Sequence, residues 1–212
     1  MTARPHRLVF VTGTGTEIGK TWWAAATARA LLDLGASVAA RKPAQSGGPP
    51  SDAEILAAAT GQAPTDVCPP HRSYAIAWAP PFAAAELGDP PFTIADLVDE
   101  MTWPPGTDVG IVEGAGGPRS PMASDGDNVD LARALLPDFV VVVGDAGLGT
   151  INAIRLSVAP FEDVAGARVV AVLNRFGGNS LHVLNLRFLV EREDLDVVTE
   201  PRQLAHRLWN GT

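Results

Sequence analysis

At 212 residues the chain is long enough for one domain with a sizeable core, and its 46% hydrophobic and 19% charged residues are typical of a globular fold. The net charge of −8 excludes a broad nucleic-acid surface, because binding to a phosphate backbone requires a basic face. The longest apolar runs are far shorter than the roughly 20 residues of a membrane helix, and a single cysteine, Cys68, excludes an intramolecular disulfide. We therefore expect a cytoplasmic protein in which any phosphate site is local.

Apolar runs of strand length alternate with helical patterns along the chain, which is typical of βαβ units. Strands are predicted at 8–11, 37–41, 108–112, 139–143, 169–173 and 196–198. Helices are predicted at 20–34, 52–60, 80–87, 93–101, 129–135, 150–158, 180–191 and 201–209. The strands are almost continuously apolar, as parallel strands covered on both faces are. The pattern predicts a single α/β domain over 1–212, with a mostly parallel sheet between two layers of helices.

A glycine-rich turn joins the first predicted strand to the first helix, and it reads Gly13-Thr14-Gly15-Thr16-Glu17-Ile18-Gly19-Lys20-Thr21. The backbone N–H groups of such a turn point at phosphate oxygens, and the helix N-terminus adds partial positive charge. Lys20 is expected to contact the β and γ phosphates, and the Thr21 hydroxyl to bind Mg²⁺. The loop is one residue longer than the standard P-loop, so a plain turn that closes the strand is the alternative. We expect Trp22 and Trp23 to pack the first helix.

Lys20 and Lys42 are the only lysines among the 16 basic residues. Lys42 follows the second predicted strand and Glu113 follows the third, at the edge of the sheet where open α/β folds bind ligands. Asp52 begins the second predicted helix. Carboxylates suit Mg²⁺, which prefers oxygen ligands, so we predict that Asp52 and Glu113 hold the metal. The alternatives are a helix-capping role for Asp52 and a surface position for Lys42.

Four segments together resemble the ATP-dependent dethiobiotin synthetase family. They are the loop at 13–21, Lys42-Pro43-Ala44-Gln45-Ser46-Gly47, Glu113-Gly114-Ala115-Gly116-Gly117 and Leu148-Gly149-Thr150-Ile151-Asn152. The resemblance covers roughly 8–174, and the longer loop is the form that this family uses. The chain departs from the family pattern at Ala153, where histidine is usual, and at Pro118-Arg119-Ser120, where apolar residues are common. These departures bear on the organic substrate more than on ATP.

The resemblance implies a three-layer, P-loop NTPase-like fold and a ligase of biotin synthesis that acts as a homodimer. This enzyme closes the ureido ring of dethiobiotin from 7,8-diaminononanoate, CO₂ and Mg²⁺-ATP through a phosphorylated carbamate. It implies that Lys42 and Lys20 are catalytic. It implies substrate contacts from Thr16 and Ser46 and, across the dimer interface, from Gly149, Thr150 and Asn152.

The resemblance also implies a set of nucleotide-binding residues, of which Asn174 would read adenine. They are Gly15, Thr16, Glu17, Ile18, Gly19, Lys20, Thr21, Trp22, Asp52, Glu113, Gly114, Ala115, Gly116, Asn174 and Pro201. Thr21, Asp52 and Glu113 would hold Mg²⁺.

Three other functions are compatible with a phosphate loop. One is a partitioning or switch ATPase of the related deviant P-loop group, whose additional early lysine is absent here from Thr14-Gly15-Thr16. The second is a paralogue that carboxylates a different amine, and the third is a nucleotide binder without chemistry. The four histidines share no metal-ligand spacing, the segment 125–128 is interpreted as a turn that caps the next helix, and Cys68 is interpreted as inert.

Overall fold

The computed structural model describes residues 4–211. Its strands, in chain order, are β1 (Arg7–Gly13), β2 (Val38–Arg41), β3 (Gln45–Ser46), β4 (Ser73–Tyr74), β5 (Val109–Glu113), β6 (Pro121–Ala123), β7 (Gly126–Asp127), β8 (Phe139–Asp145), β9 (Arg168–Asn174) and β10 (Asp196–Val198). Its α-helices are α1 (Lys20–Asp33), α2 (Asp52–Thr60), α3 (Pro64–Val67), α4 (Pro80–Leu87), α5 (Ile94–Asp99), α6 (Asn128–Leu135), α7 (Thr150–Val158), α8 (Ser180–Glu191) and α9 (Pro201–Asn210).

Six of the strands form one parallel sheet in the order β10-β9-β8-β1-β5-β2. All six correspond to strands predicted from the sequence, with bounds that differ by at most two residues. β1 lies between β5 and β8, so the loop that follows it emerges near the middle of the sheet. The carboxyl ends of β1, β2 and β5 therefore meet at one edge, as the parallel pattern predicted.

The two faces of the sheet carry separate hydrophobic layers. Val9 and Val11 of β1 pack with α1, α2 and α9, whereas Leu8 and Phe10 pack with α4 to α8. This alternation follows from the period of two along a strand, which sends successive side chains to opposite faces. The predicted three-layer arrangement, similar to that of P-loop NTPases, is confirmed.

Capping side chains begin several helices where the sequence predicted them. Ser51 caps α2 in a capping box with Glu54, and Asp127 caps α6 in the same way with Asp130. The interpretation of 125–128 as a helix-capping turn is therefore confirmed. Thr93 caps α5, which ends at Asp99 and is shorter than the predicted 93–101.

One packing prediction was wrong. Trp23 is buried with 2% of its surface exposed, but Trp22 is 57% exposed. Adjacent residues on an α-helix point about 100° apart, so both indoles cannot face the sheet. The proline-rich stretch 63–91 was assigned only the helix at 80–87, and it also contains α3 and β4.

None of the helices within residues 4–211 is both long enough and apolar enough to span a membrane.

Candidate active site

The turn between β1 and α1 has the geometry of an anion-binding loop. α1 begins at Lys20 with no capping side chain and no acidic residue in its first turn, so its first N–H groups face the loop uncompensated. Gly19 has a φ of 98°, in the left-handed region that favours glycine. A Cβ added at Gly13 would lie 2.8 Å from the carbonyl oxygen of Val143, so only glycine fits there.

Lys20 lies over this loop with only 7% of its surface exposed. Its Nζ donates a hydrogen bond of 2.8 Å to the carbonyl oxygen of Gly15. Burial lowers the pKa of Lys20 to about 8, and the neighbouring Lys42 ammonium adds to the lowering. A phosphate group beside Nζ would favour the charged form, so Lys20 is suited to bind an anion.

Lys42 is at the centre of a buried charged cluster. Its Nζ lies 2.6 Å from Oε1 of Glu113, 2.7 Å from Oδ2 of Asp52 and 3.0 Å from the carbonyl oxygen of Gly114. Lys42 is 1% exposed and Glu113 is fully buried. The alternative of a surface lysine is therefore excluded, and all three N–H groups of the ammonium are used within the chain.

Electrostatics favour the ionised forms of Lys42 and Asp52, whereas burial raises the pKa of Glu113 and outweighs the Lys42 ammonium beside it. Burial by itself would lower the pKa of Lys42, but the carboxylates of Glu113 and Asp52 outweigh burial and raise it. Burial would raise the pKa of Asp52, but the Lys42 ammonium outweighs it, and the pKa of Asp52 is lowered. The cluster therefore holds a charged ammonium between carboxylates next to the phosphate loop.

Thr21 connects the loop to the same carboxylates. Its Oγ1 lies 2.8 Å from Oδ1 of Asp52 and 2.8 Å from Oε1 of Glu113. A hydroxyl has one proton and can donate to only one of these oxygens at a time. The second close contact between oxygens is the kind of arrangement that a bound cation stabilises.

The structure also decides the alternative role of Asp52. Ser51 caps α2, so Asp52 is free of that role and its carboxylate reaches Lys42 and Thr21. Gln45, which sequence reasoning did not single out, is 7% exposed and its Oε1 accepts a hydrogen bond of 2.9 Å from the backbone N–H of Ala53. Gln45 thereby fixes the start of α2 and the position of Asp52.

A cavity of about 590 Å³ opens above these groups. Its floor contains charged and polar residues of the loop and the cluster, and one part of its wall is apolar. Of the predicted site residues, it is lined by Thr16, Glu17, Gly19, Lys20, Thr21, Trp22, Lys42, Ser46, Asp52, Ala115 and Gly116. The apolar wall, formed by residues 77–80 from Ala77 to Pro80, was not predicted because no motif marks it. A second cavity, of about 400 Å³, lies beside Arg41 and Trp103 and contains none of the predicted residues.

Comparison with known proteins agrees with this geometry. A family model described as an AAA domain matches residues 7–200. The ATP-dependent dethiobiotin synthetase BioD of Anaeromyxobacter dehalogenans strain 2CP-1 is 37% identical over 213 residues, covering 95% of this chain and 93% of the relative. The protein of the same name from Haloferax mediterranei is 35% identical over 197 residues, covering 90% and 82%. The chain belongs to the dethiobiotin synthetase family.

Solved structures of other P-loop proteins share the fold with this family member. The MinC:MinD cell division complex of Aquifex aeolicus matches with a TM-score of 0.56 and 16% identity, covering 97% of this chain and 86% of that chain. A putative plasmid partition protein of Borrelia burgdorferi, bound to AMPPNP, matches with a TM-score of 0.55 and 13% identity, covering 98% and 90%. At these identities the likeness extends to the fold alone, so it does not favour the partitioning alternative.

Several residues implied by the family resemblance lie outside the cavity. Gly149, Thr150 and Asn152 are at the N-terminus of α7, and none of them lines it. Thr150 is 4% exposed, and its hydroxyl has no hydrogen-bond partner among the described residues. Pro201 is the first residue of α9, also away from the cavity.

The remaining nucleotide-binding candidates lie around the loop and behind it. Gly15 and Ile18 belong to the loop itself, and Gly114 follows Glu113 at the end of β5. A Cβ at Gly114 would lie 2.0 Å from Oδ1 of Asn128, so the segment after β5 packs too closely for any larger residue. Asn174 ends β9, and its amide is hydrogen-bonded to the loop backbone.

The donor set of this family member fits a magnesium ion. Thr21, Asp52 and Glu113 present hydroxyl and carboxylate oxygens, which are the ligands that Mg²⁺ prefers. Oε2 of Glu113 is buried with no hydrogen-bond partner among the described residues, so one carboxylate oxygen is available. Among residues 4–211, no group of three or more histidine, cysteine, aspartate and glutamate side chains is placed to hold a metal ion.

Proposed function

We propose that this chain is an ATP-dependent carbon–nitrogen cyclo-ligase that closes the ureido ring of dethiobiotin from 7,8-diaminononanoate and CO₂, in biotin synthesis. The observation that carries the proposal is the buried Lys42 ammonium, held by Glu113 and Asp52 beside the phosphate loop and lining the same cavity as Ser46. A generic nucleotide binder has no need of a second buried lysine there. Membership of the dethiobiotin synthetase family supports the same function.

In the first step, an amine of the substrate forms a bond to the carbon of CO₂ and releases a proton to solvent, which yields a carbamate. Lys42 binds the carbamate oxygens and neutralises their charge. All three N–H groups of Lys42 are hydrogen-bonded within the chain, so one must be released to the carbamate. Ser46 donates its hydroxyl proton to the carbonyl oxygen of Trp78 at 2.6 Å, which leaves its lone pairs to accept from a substrate amine.

In the second step, a carbamate oxygen attacks the γ-phosphorus of ATP and ADP leaves. The N–H groups of the loop and the Lys20 ammonium stabilise the charge on the transferred phosphoryl group. In the third step, the neighbouring amine attacks the carbamate carbon and the bond from that carbon to the phosphate oxygen breaks. The amine gives its proton to the departing phosphate, and the ring closes. The protein contributes by holding the reacting groups in place and balancing their charge.

Thr21, Asp52 and Glu113 would hold Mg²⁺, with Asp52 and Glu113 supplying its carboxylate ligands. The ion supplies counter-charge to the triphosphate when it is bound. The fit rests on the three oxygen donors and on Oε2 of Glu113, which has no hydrogen-bond partner within residues 4–211.

The shape of the cavity supports a substrate with an alkyl chain. Lys42 and Ser46 lie at the polar floor, and Trp78 and Pro80 belong to the apolar wall. A diamine would place its two nitrogens at the floor, and its methylene groups would contact the wall, since burial of each methylene is worth about 0.8 kcal/mol.

We also propose that the chain is a single ligase domain that works as a cytoplasmic homodimer. Apolar side chains near the α7 segment are exposed, with Leu148 93% exposed, Leu156 68% and Leu184 62%. A second copy covering this face would bring the N-terminus of α7 to the partner's cavity. Light scattering should give twice the chain mass for the parent and for the control L32E on α1, but one chain mass for L184E. A monomeric parent would refute the homodimer.

Incorporation of labelled bicarbonate tests the ligase. We expect an acid-stable labelled product only when diaminononanoate, ATP and Mg²⁺ are all present, because an open carbamate loses its CO₂ in acid. The variant K42Q should abolish incorporation and retain ATP binding. A parent protein that binds ATP and incorporates no label would refute the ligase. Incorporation with a shorter diamine but not with diaminononanoate would favour a paralogue that carboxylates a different amine.

A further inference from the structure

The side chain of Asn174 is turned into the protein behind the phosphate loop. Its Nδ2 donates a hydrogen bond of 2.9 Å to the carbonyl oxygen of Ile18, within the loop. Its Oδ1 accepts a hydrogen bond of 2.9 Å from Nε1 of Trp23, one turn into α1. Asn174 is 9% exposed and Trp23 is 2% exposed. The amide therefore joins the last residue of β9 to both the loop and the helix that follows it.

The chemistry of the two partners fixes the orientation of this amide. An indole N–H can only donate and a carbonyl oxygen can only accept, so the amide oxygen must face Trp23 and the amide nitrogen must face Ile18. A rotation of the amide by 180° would lose both hydrogen bonds. Trp23 thus determines which group of Asn174 is presented to the loop.

Close packing supports the same arrangement. A Cβ added at Gly19 would lie 2.3 Å from Nδ2 of Asn174, so the amide is directly against the backbone of the loop. The backbone of Asn174 is itself fixed, because its carbonyl oxygen accepts a hydrogen bond of 2.9 Å from the N–H of Ala146. The loop is therefore supported from behind by a rigid part of the sheet.

We propose that Trp23 and Asn174 are positioning residues, which hold the phosphate loop in the conformation that binds a triphosphate. The proposal rests on the proposed use of the loop for ATP, and not on the identity of the amine. This positioning role differs from recognition of adenine, because it predicts weaker binding of ligands that have no base. Preorganised N–H groups bind an anion without first ordering the loop, so loss of the support weakens binding of any triphosphate.

Binding of ATP and of inorganic triphosphate to the full chain separates the two roles. W23F removes the indole donor and keeps an aromatic ring, and N174D replaces the amide donor with a carboxylate of the same shape. W209F, on the surface helix α9, is the matched control. We expect W23F and N174D to weaken the binding of ATP and the binding of inorganic triphosphate by about the same factor, three- to tenfold, as the loss of one hydrogen bond predicts. We expect W209F to bind as the parent does.

Amide hydrogen exchange in the ligand-free protein provides the second measurement. Peptides covering residues 13–21 should exchange faster in W23F and N174D than in W209F, while peptides from β8 keep the parent rate. Weaker ATP binding with unchanged triphosphate binding and unchanged exchange would refute the positioning role and favour base reading. If the parent bound neither ATP nor triphosphate, the proposed function would fail. Amide hydrogen exchange alone would still decide whether Trp23 and Asn174 support the loop.

Discussion

Replacement of Lys42 by glutamine tests the charge balance of the site as well as its chemistry. In the parent, the ammonium lies 2.6 Å from a Glu113 carboxylate that has no exposed surface. Removing one partner of a buried ion pair costs about 3–5 kcal/mol, because the other charge stays buried and uncompensated. The Asp52 side chain is 37% exposed, so its loss of a partner costs less than that of Glu113. Glutamine also keeps an N–H donor.

We therefore expect K42Q to lose about 3 kcal/mol of unfolding free energy, near the lower end of that range. For a chain of this size, this corresponds to a fall in Tm of about 6–12 °C. The measurement is thermal and urea unfolding in EDTA at pH 7. R187Q is the control, since the Arg187 side chain is 65% exposed and its surface ion pair contributes at most about 1 kcal/mol.

Addition of Mg²⁺ and ATP provides the second arm of this test. If Asp52 and Glu113 bind the metal, its charge replaces that of the missing ammonium, and the stability gap between K42Q and the parent should narrow. A K42Q protein as stable as the parent in EDTA would show that Glu113 does not depend on Lys42 for its charge. The electrostatic account of the cluster would then be wrong.

The other predictions concern single side chains. T21V should weaken the binding of Mg²⁺-ATP by about tenfold or more, as expected when a contact to a charged group is lost. It should leave the binding of ATP in EDTA unchanged. Equal weakening in both conditions would contradict the metal role of Thr21. The Arg72 guanidinium lowers the pKa of Glu100 from its ordinary value of 4.5. Ionised Glu100 therefore stabilises the folded protein above pH 4.5, and this stabilisation is lost as the pH falls through the lower pKa that Glu100 has in the folded protein. E100Q should be less stable than the parent by at most about 1 kcal/mol at pH 7, and equally stable at strongly acid pH; a difference that persists in urea unfolding at low pH would exclude this origin. Burial raises the pKa of Cys68 to about 12, so about one thiol in ten thousand is ionised at pH 8, and Ellman's reagent should label Cys68 only after unfolding.

The sheet and the loop could be predicted because their physical requirements are local. Strands buried on both faces read as continuous apolar runs, and all six strands of the sheet were found in this way. The phosphate loop needs glycine at fixed positions, so its spacing is visible in the sequence. Lys42 and Glu113 follow predicted strands, and parallel topology brings such ends together.

The rest of the site depends on contacts between distant segments. Asn174 and Trp23 are 151 residues apart, and no local pattern shows that an amide and an indole will meet behind the loop. The apolar wall at residues 77–80 lies in a proline-rich stretch with no helix or strand period. The exposure of Trp22 depended on which face of α1 packs against the sheet, and Trp23 occupies that face.

Charge balance explains how an acidic chain can bind a triphosphate. At full ionisation Lys20 and Lys42, the only lysines, bring two positive charges to the site, and Asp52 and Glu113 bring two negative charges. These four side chains sum to zero, and the N-terminus of α1 adds only about half a positive charge. We therefore expect a triphosphate to bind together with a cation, and we propose that the oxygens of Thr21, Asp52 and Glu113 would hold that cation. In the mechanism that we propose, Lys42 would then neutralise the carbamate instead of the carboxylates.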